Sequence, residues 1–152
     1  MAVNAIPEGY YSLTPYLVIK GAAEAIEFYK KAFGATELMR MPGPNGRVMH
    51  AEIRIGNSVL MLSDENPERG YLSPASRGGA TGSVMLYTTD VDKTFNAAVA
   101  AGAKSQQPPT DMFWGDRMGN LTDPFGHSWA IATHKEDVSP DEMQKRMMAQ
   151  AQ

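Results

Sequence analysis

The segment GAAEAIEFYKKAFG, residues 21–34, sets the frame for interpreting the rest of the chain. Its apolar residues recur at the spacing of an α-helix, and glutamate and lysine side chains occupy the opposite face. Gly34 predicts the end of this helix, since glycine readily adopts the left-handed conformation of a C-cap. The apolar run LTPYLVI at residues 13–19 precedes the helix and predicts a strand.

Three further strands are predicted after this helix. The turn-forming sequences PGPNG and GN separate them, with glycines available for positive φ. The predicted strands are residues 35–41, 48–55 and 58–63. The first part of the chain, about residues 11–64, is therefore interpreted as a βαβββ unit.

The same order of elements then begins again. A polar, glycine-rich linker at about residues 65–81 leads to a second predicted unit at about 82–134. Asp90 is the predicted N-cap of its helix and Gly102 the predicted end. Its predicted strands are residues 83–89, 106–111, 116–122 and 128–132. The repeat is architectural, because few identities support it, and it predicts an α+β fold of two tandem βαβββ units.

The tail completes a predicted single domain over residues 1–152. Ser139 and Glu142 have capping-box spacing and Pro140 occupies the first helical position, which predicts a short C-terminal helix at about 139–150.

Composition excludes several classes of function. The formal net charge is −3 and the basic residues are scattered, so a nucleic-acid partner is not expected. No cysteine is present, which excludes disulfides, thiolate metal sites and a cysteine nucleophile. The N-terminal sequence lacks the pattern of a secretory signal and no run has the length of a membrane span, so we expect a cytoplasmic protein without a membrane partner.

Two motifs within this repeat resemble a known family. AIEFYKKAFGA in the first helix and LTDPFGHSWAIA at the last hairpin are similar to the vicinal oxygen chelate (glyoxalase and bleomycin-resistance) superfamily, and more narrowly to its PhnB-like branch. The similar segments span nearly the whole chain. The resemblance implies curved mixed sheets, each with its helix on the convex side, whose concave sides enclose a cavity for a small-molecule ligand. It also implies a homodimer with two equivalent sites.

The resemblance further implies four inward positions that bind a divalent ion in metal-dependent members. Here these positions carry Thr14, Met61, Val84 and Ala130, none of which is a strong ligand for such an ion. A shift of one residue would offer only Ser83 or Trp129. We therefore expect no family-type metal site and no cofactor.

His50 and Glu52 are the candidate catalytic residues. Their i,i+2 spacing directs both side chains to one face of a strand. Three interpretations follow: a hydrogen-bonded His50 beside a Glu52–Arg54 pair on the rim, contact with a ligand, or ligation of a metal ion in a non-standard site.

Other residues are expected to contact the ligand. Tyr16 shares the inward parity of Thr14, and Ser63 that of Met61, while Asn120 corresponds to His50 in the repeat. These residues, together with Met61, would shape the cavity and orient the ligand.

A loop near the end of the chain supplies the last candidates. Trp114, Asp116 and Arg117 are able to stack on a planar ligand and bind its carboxylate or phosphate, or else to form a turn with Trp114 in the core. His127 and His134 are interpreted as turn and surface residues, and the DPFG sequence as a tight turn without chemistry.

Three functions are compatible with these residues. The first is a metal-independent protein that binds a small organic molecule in its cavity. The second is a lyase or isomerase acting on a small oxygenated metabolite, with His50 or Glu52 as acid or base and Arg117 holding an anionic group. The third is an interaction module whose cavity is filled by side chains. The sequence does not decide whether the protein is an enzyme.

Overall fold

A computed structural model describes residues 2–151. It contains eight strands and four helices in these residues, besides two short 3₁₀ turns. The strands are β1 Tyr16–Ile19, β2 Thr36–Pro42, β3 Val48–Ile55, β4 Ser58–Asp64, β5 Ser83–Tyr87, β6 Lys104–Asp111, β7 Asp116–Thr122 and β8 Ser128–His134. The helices are α1 Ala22–Phe33, α2 Pro74–Arg77, α3 Val91–Ala100 and α4 Pro140–Gln150.

The strands form two four-stranded mixed sheets with the same topology. The first sheet has the order β1-β4-β3-β2 and the second has the order β5-β8-β7-β6. In each sheet one pair is parallel, β1 with β4 and β5 with β8, while the other pairs are antiparallel. The predicted α+β fold of two βαβββ units with a C-terminal helix is confirmed.

Local signals start and stop the helices largely where the sequence predicts. Gly34 adopts φ 66° at the end of α1 and donates its N–H to the Lys30 carbonyl. The Asp90 side chain accepts from the Lys93 N–H at the start of α3, and Ser139 accepts from Glu142 at the start of α4.

Each sheet has a helix-covered face and a helix-free face. Helix α1 packs on the first sheet and α3 on the second, and the two helices also contact each other. The alternation of side chains assigns Ala51, Ile53 and Leu62 to the helix-covered face of the first sheet, where all three are fully buried. The helix-free face carries the neighbouring residues of the same strands.

Buried contacts join the two units. Tyr29 of α1 donates its hydroxyl to Asp123 over 2.6 Å, and the Trp129 indole N–H donates to the same carboxylate over 3.0 Å. The Phe33 and Trp129 ring centroids are 4.7 Å apart. Burial raises the pKa of Tyr29 well above its usual value, and the Asp123 carboxylate adds to this effect. The DPFG sequence is therefore a turn with an additional structural role.

The linker between the units is fastened to the first sheet. Glu65, just beyond β4, accepts from the Ser73 backbone N–H over 2.9 Å and from the Ser73 hydroxyl over 2.6 Å. Hydrogen bonds from the Ser73 and Ser76 side chains and from the Ser73 backbone lower the pKa of Glu65 to about 2. Within residues 2–151, no helix has the length and apolar character that crossing a membrane requires.

Candidate functional site

Four side chains form a continuous hydrogen-bonded chain on the helix-free face of the first sheet. The Tyr10 hydroxyl donates to one oxygen of Glu52, and the other oxygen accepts from His50 Nε2 over 3.0 Å. His50 Nδ1 lies 3.1 Å from the Tyr16 hydroxyl. We call Tyr10, Tyr16, His50 and Glu52 the first-sheet cluster.

Hydrogen bonding fixes the proton arrangement of this cluster. A carboxylate only accepts, so Nε2 of His50 carries the proton and, in the neutral ring, Nδ1 accepts from Tyr16. Hydrogen bonds from Tyr10 and then His50 lower the pKa of Glu52, and the bond to Glu52 raises the pKa of Tyr10. Of the interpretations drawn from the sequence, the Glu52–Arg54 pair does not form among the described residues, because Tyr10 and His50 occupy the carboxylate.

Met61 and Ser63 adjoin the cluster on the same face. Met61 is in register with both Tyr16 and Glu52, and Ser63 is in register with Val18. Met61 is half-buried, whereas Ser63 is only 6% exposed and contributes little surface. The structure thus brings together five of the residues that the sequence predicts for the site.

The helix-free face of the second sheet holds another cluster. Asp116, only 5% exposed, accepts from His134 Nδ1 over 2.7 Å, from the Tyr87 hydroxyl over 2.9 Å and from the Trp114 indole over 3.3 Å. His134 Nε2 also bonds Asp137 over 2.8 Å. We call Tyr87, Trp114, Asp116 and His134 the second-sheet cluster. In it, Trp114 is a hydrogen-bonded and half-buried side chain.

Opposing influences act on the pKa of Asp116. Burial would raise the pKa, but the hydrogen bonds from His134, Tyr87 and Trp114 together hold it below its usual value. The bonds to Asp116 and Asp137 raise the pKa of His134. The pair therefore favours an ionised carboxylate and a protonated imidazole.

Arg117 and Asn120 lie apart from the first-sheet cluster. The β7–β8 register pairs Arg117 with Thr133, on the face that carries α3, and its guanidinium bonds Asp92 of α3 over 2.8 and 2.9 Å. These bonds raise the pKa of Arg117. Asn120 is on the helix-free face and donates to Gln107 over 3.3 Å. The ligand-binding roles of both residues stay predictions.

The four positions expected from metal-dependent relatives differ in placement. Met61 and Ala130 are on helix-free faces, and Thr14 is half-buried just before β1. Val84 instead pairs with Trp129 and packs against the core, so Ser83, Met85 and Tyr87 are the helix-free residues of β5. None of these side chains is an imidazole or a carboxylate, and they do not fit a family-type divalent ion. Residues 2–151 hold no group of three or more His, Cys, Asp or Glu suited to a metal.

Two cavities lie where the units meet. The first, the seam cavity, has a volume of about 600 Å³ between β1, β5 and the linker. The second, of about 620 Å³, lies where β3, β4, β5 and the segment before β1 meet. The seam cavity is lined by Tyr16, Leu17, Val18, Leu72, Pro74, Arg77, Gly79, Ala80, Thr81, Gly82, Ser83, Val84, His127 and Ser128. Tyr16 thus connects the first-sheet cluster to the seam cavity.

Sequence reasoning did not identify several of these polar groups. Tyr10 precedes the repeat in a segment without a periodic pattern, and no local signal ties it to Glu52. The bond between Asp116 and His134 does have a signal, because the hairpin register pairs these two residues. Arg77 belongs to the linker, where the sequence predicts no fixed position.

Comparison with known proteins identifies the family. Residues 13–131 match the family described as "Glyoxalase/Bleomycin resistance protein/Dioxygenase superfamily". The chain therefore belongs to this superfamily, as the resemblance predicts. An uncharacterised protein of Mycobacterium bovis is 42% identical, over 99% of this chain and 98% of the relative.

Solved structures agree with this assignment. TioX from Micromonospora sp. ML1 has a TM-score of 0.64 and 27% identity, over 82% of this chain and 98% of that one. The PhnB protein from Bacillus cereus has a TM-score of 0.63 over 81% of this chain and 99% of that one. Its 19% identity supports a common fold alone.

Proposed function

We propose that this protein binds a small organic molecule against the helix-free face of the first sheet, without a family-type divalent metal ion. The observation that carries the proposal is the hydrogen-bonded chain from Tyr10 through Glu52 and His50 to Tyr16. Tyr16 is 47% exposed at one end of this chain and lines a cavity large enough for a small ligand. A polar group of the ligand would bond there, and Met61 would contact its apolar part.

The chemistry of the inward side chains supports the metal-free part of the proposal. Threonine, methionine, serine and alanine side chains are poor ligands for a hard divalent ion. This holds whether the β5 position is taken as Ser83, Val84 or Met85. Binding would therefore depend on hydrogen bonds and apolar contacts, for which the first-sheet cluster supplies fixed partners.

A fragment screen by ligand-observed NMR, followed by calorimetry of the hits, tests the binding proposal. We expect hits to lose about tenfold in affinity in His50→Ala and several-fold in Tyr16→Phe. Tyr11→Phe is the matched control, because Tyr11 is exposed in the N-terminal segment and is expected to leave affinity unchanged. Hits that bind both cluster variants as tightly as the wild type would contradict the proposal.

We further propose that a second copy of the chain covers the helix-free faces in a homodimer. These faces expose large apolar side chains that a monomer would leave in water: Met41 is 52% exposed, Met85 44% and Tyr87 58%. Met41 is in register with His50, so its contacts with a partner would also close the site. A twofold dimer would contain two equivalent sites.

Light scattering coupled to gel filtration tests the dimer. We expect Met41→Glu to weaken the dimer at least about tenfold, since it introduces a charge into an apolar contact. Met148→Glu on α4 is the matched control and is expected to remain dimeric, although Met148 is 62% exposed. A wild-type protein that is monomeric throughout the concentration range would refute this part.

A lyase or isomerase is the second candidate function, and the order of groups in the first-sheet cluster favours it. A carboxylate that orients an imidazole, which in turn contacts a phenol, is an arrangement able to move a proton at the Tyr16 hydroxyl. If a hit is a substrate, NMR will show its conversion, and His50→Gln is expected to lower turnover more than affinity. Hits that are recovered unchanged favour the binding function.

A further inference from the structure

The charge of the seam cavity differs from that of the whole protein. The chain has a formal net charge of −3, yet no aspartate or glutamate is among the residues that line this cavity. Arg77 supplies a positive charge there. A cavity with a cation and no acidic lining favours a ligand that carries negative charge.

Arg77 has no carboxylate partner among residues 2–151, whereas Arg40, Arg117 and Arg146 each have one. Arg40 pairs with Glu37, and Arg146 pairs with Glu136. The Arg77 guanidinium donates only to the Gly70 carbonyl, over 3.1 Å. Its remaining N–H groups can therefore form charge-assisted bonds with an oxyanion.

Other polar groups of the cavity suit the same kind of ligand. The side chains of Thr81, Ser83 and Ser128 supply hydroxyl donors to the lining. His127 Nε2 lies 2.9 Å from the Val18 carbonyl and must be its donor, because a carbonyl only accepts. This bond holds the imidazole in place at the wall of the cavity.

The remaining lining is apolar and well anchored. Leu17, Leu72 and Val84 provide apolar surface, and fully buried Ser73 holds the adjoining linker through Glu65. A β-carbon on Gly126 would lie 3.1 Å from the Pro74 β-carbon, so α2 packs closely on the β7–β8 turn. The cavity therefore combines one cationic side chain and several hydroxyls with an apolar wall.

We propose that the ligand of the seam cavity is a small organic monocarboxylate with a ring-sized apolar body. Arg77 binds the carboxylate, the hydroxyl groups contribute further bonds, and the apolar wall contacts the ring. This inference rests on the proposed function and names its class of ligand, because Tyr16 belongs both to the first-sheet cluster and to the lining of the cavity. The two proposals can be told apart, since Arg77→Ala removes only the contact with the carboxylate and leaves the first-sheet cluster intact.

An NMR titration of the full chain with benzoate tests the site, with benzamide as the uncharged probe of equal size. Benzoate is expected to shift the backbone amide signals of residues 80–84 and 127–128, and to bind at least about tenfold more tightly than benzamide. In Arg77→Ala the benzoate affinity should fall about tenfold, while Arg77→Lys should retain part of it. Arg69→Ala is the matched control, because Arg69 is an exposed linker arginine that does not line this cavity.

Several results would overturn the proposal. These are equal affinities for benzoate and benzamide, an unchanged affinity in Arg77→Ala, or benzoate shifts centred on His50 and Glu52 instead. An absence of any shift would also overturn it. Thermal unfolding of each variant establishes that the loss of affinity does not come from a loss of the fold.

Discussion

The two helix-free faces carry the same kinds of side chain in different surroundings. Each has a carboxylate bonded to an imidazole and to a phenol, namely Glu52 with His50 on the first sheet and Asp116 with His134 on the second. Asp116 is 5% exposed and accepts three side-chain donors from different parts of the second unit. Glu52 is bonded by two donors, one of which comes from the N-terminal segment.

This difference separates a structural role from a binding role. Removing a buried carboxylate leaves its donors unpaired and is costly, whereas a partly exposed chain of hydrogen bonds can exchange partners with a ligand. The second-sheet cluster ties the end of β5 and the loop before β7 to the end of β8. The first-sheet cluster ends at Tyr16, which is exposed at a cavity.

The largest expected effect concerns stability. Asp116→Ala should lower the free energy of unfolding by about 2–3 kcal/mol, because three donors lose a buried acceptor. Glu52→Ala should lower it by less than about 1 kcal/mol, since the Glu52 carboxylate is less buried than that of Asp116 and accepts from two donors instead of three. Urea unfolding of both variants measures the difference. Equal losses in the two variants would contradict the assignment of a structural role to the second-sheet cluster and a binding role to the first-sheet cluster.

The pairing of Asp116 with His134 in the second-sheet cluster could be derived from the sequence, by counting residue pairs outward from the turn of the β7–β8 hairpin. The Asp123 N–H donates to the His127 carbonyl and closes the turn. Counting outward from that pair matches Asp116 with His134 and turns Arg117 towards the helix-covered face. The fold itself is predicted well for the same reason, since turns and helix caps are local signals.

The register of a parallel pair of strands cannot be counted in this way, because no tight turn connects the two strands. Strand β5 pairs with β8 after a helix and two intervening strands, so no turn fixes which of its residues face the helix-free side. Val84 was expected to face inward, whereas Ser83 and Met85 do. The position of Tyr10 could not be predicted from local sequence signals either, because its hydrogen bond to Glu52 joins residues that are 42 positions apart.

A moderate effect is expected for Tyr10→Phe. Loss of the hydroxyl removes the main influence that lowers the pKa of Glu52, so that pKa should rise towards its usual value. The free energy of unfolding should fall by roughly 0.5–1 kcal/mol. Carbon-13 NMR of the Glu52 carboxyl group measures the titration, with Tyr11→Phe as control. An unchanged Glu52 pKa would show that Tyr10 does not belong to the cluster.

The smallest effect is the pH dependence of the second-sheet cluster. The pKa of His134 is raised in the folded protein, so the stability it contributes is complete below the unfolded value of about 6.5 and is lost as pH rises through the folded value. Asp116 has a lowered pKa, and its contribution is lost as pH falls through that lower value. The pair should therefore stabilise the fold most in mildly acidic solution.

Proton NMR of the His134 ring measures its pKa directly. We expect a value above 6.5 in the wild type and a decrease in Asp116→Asn, which removes the carboxylate charge. A His134→Asn variant should lose the decline in unfolding free energy on the alkaline side. A wild-type His134 pKa at or below 6.5 would contradict the assigned role of Asp116.

We propose that the first-sheet cluster binds a small molecule without a divalent metal ion. Calorimetry of the tightest fragment hit, before and after treatment of the protein with EDTA, tests this metal independence. We expect the same affinity in both titrations and a loss of affinity in His50→Ala. A loss of binding after EDTA treatment that is restored by a stoichiometric divalent ion would contradict it.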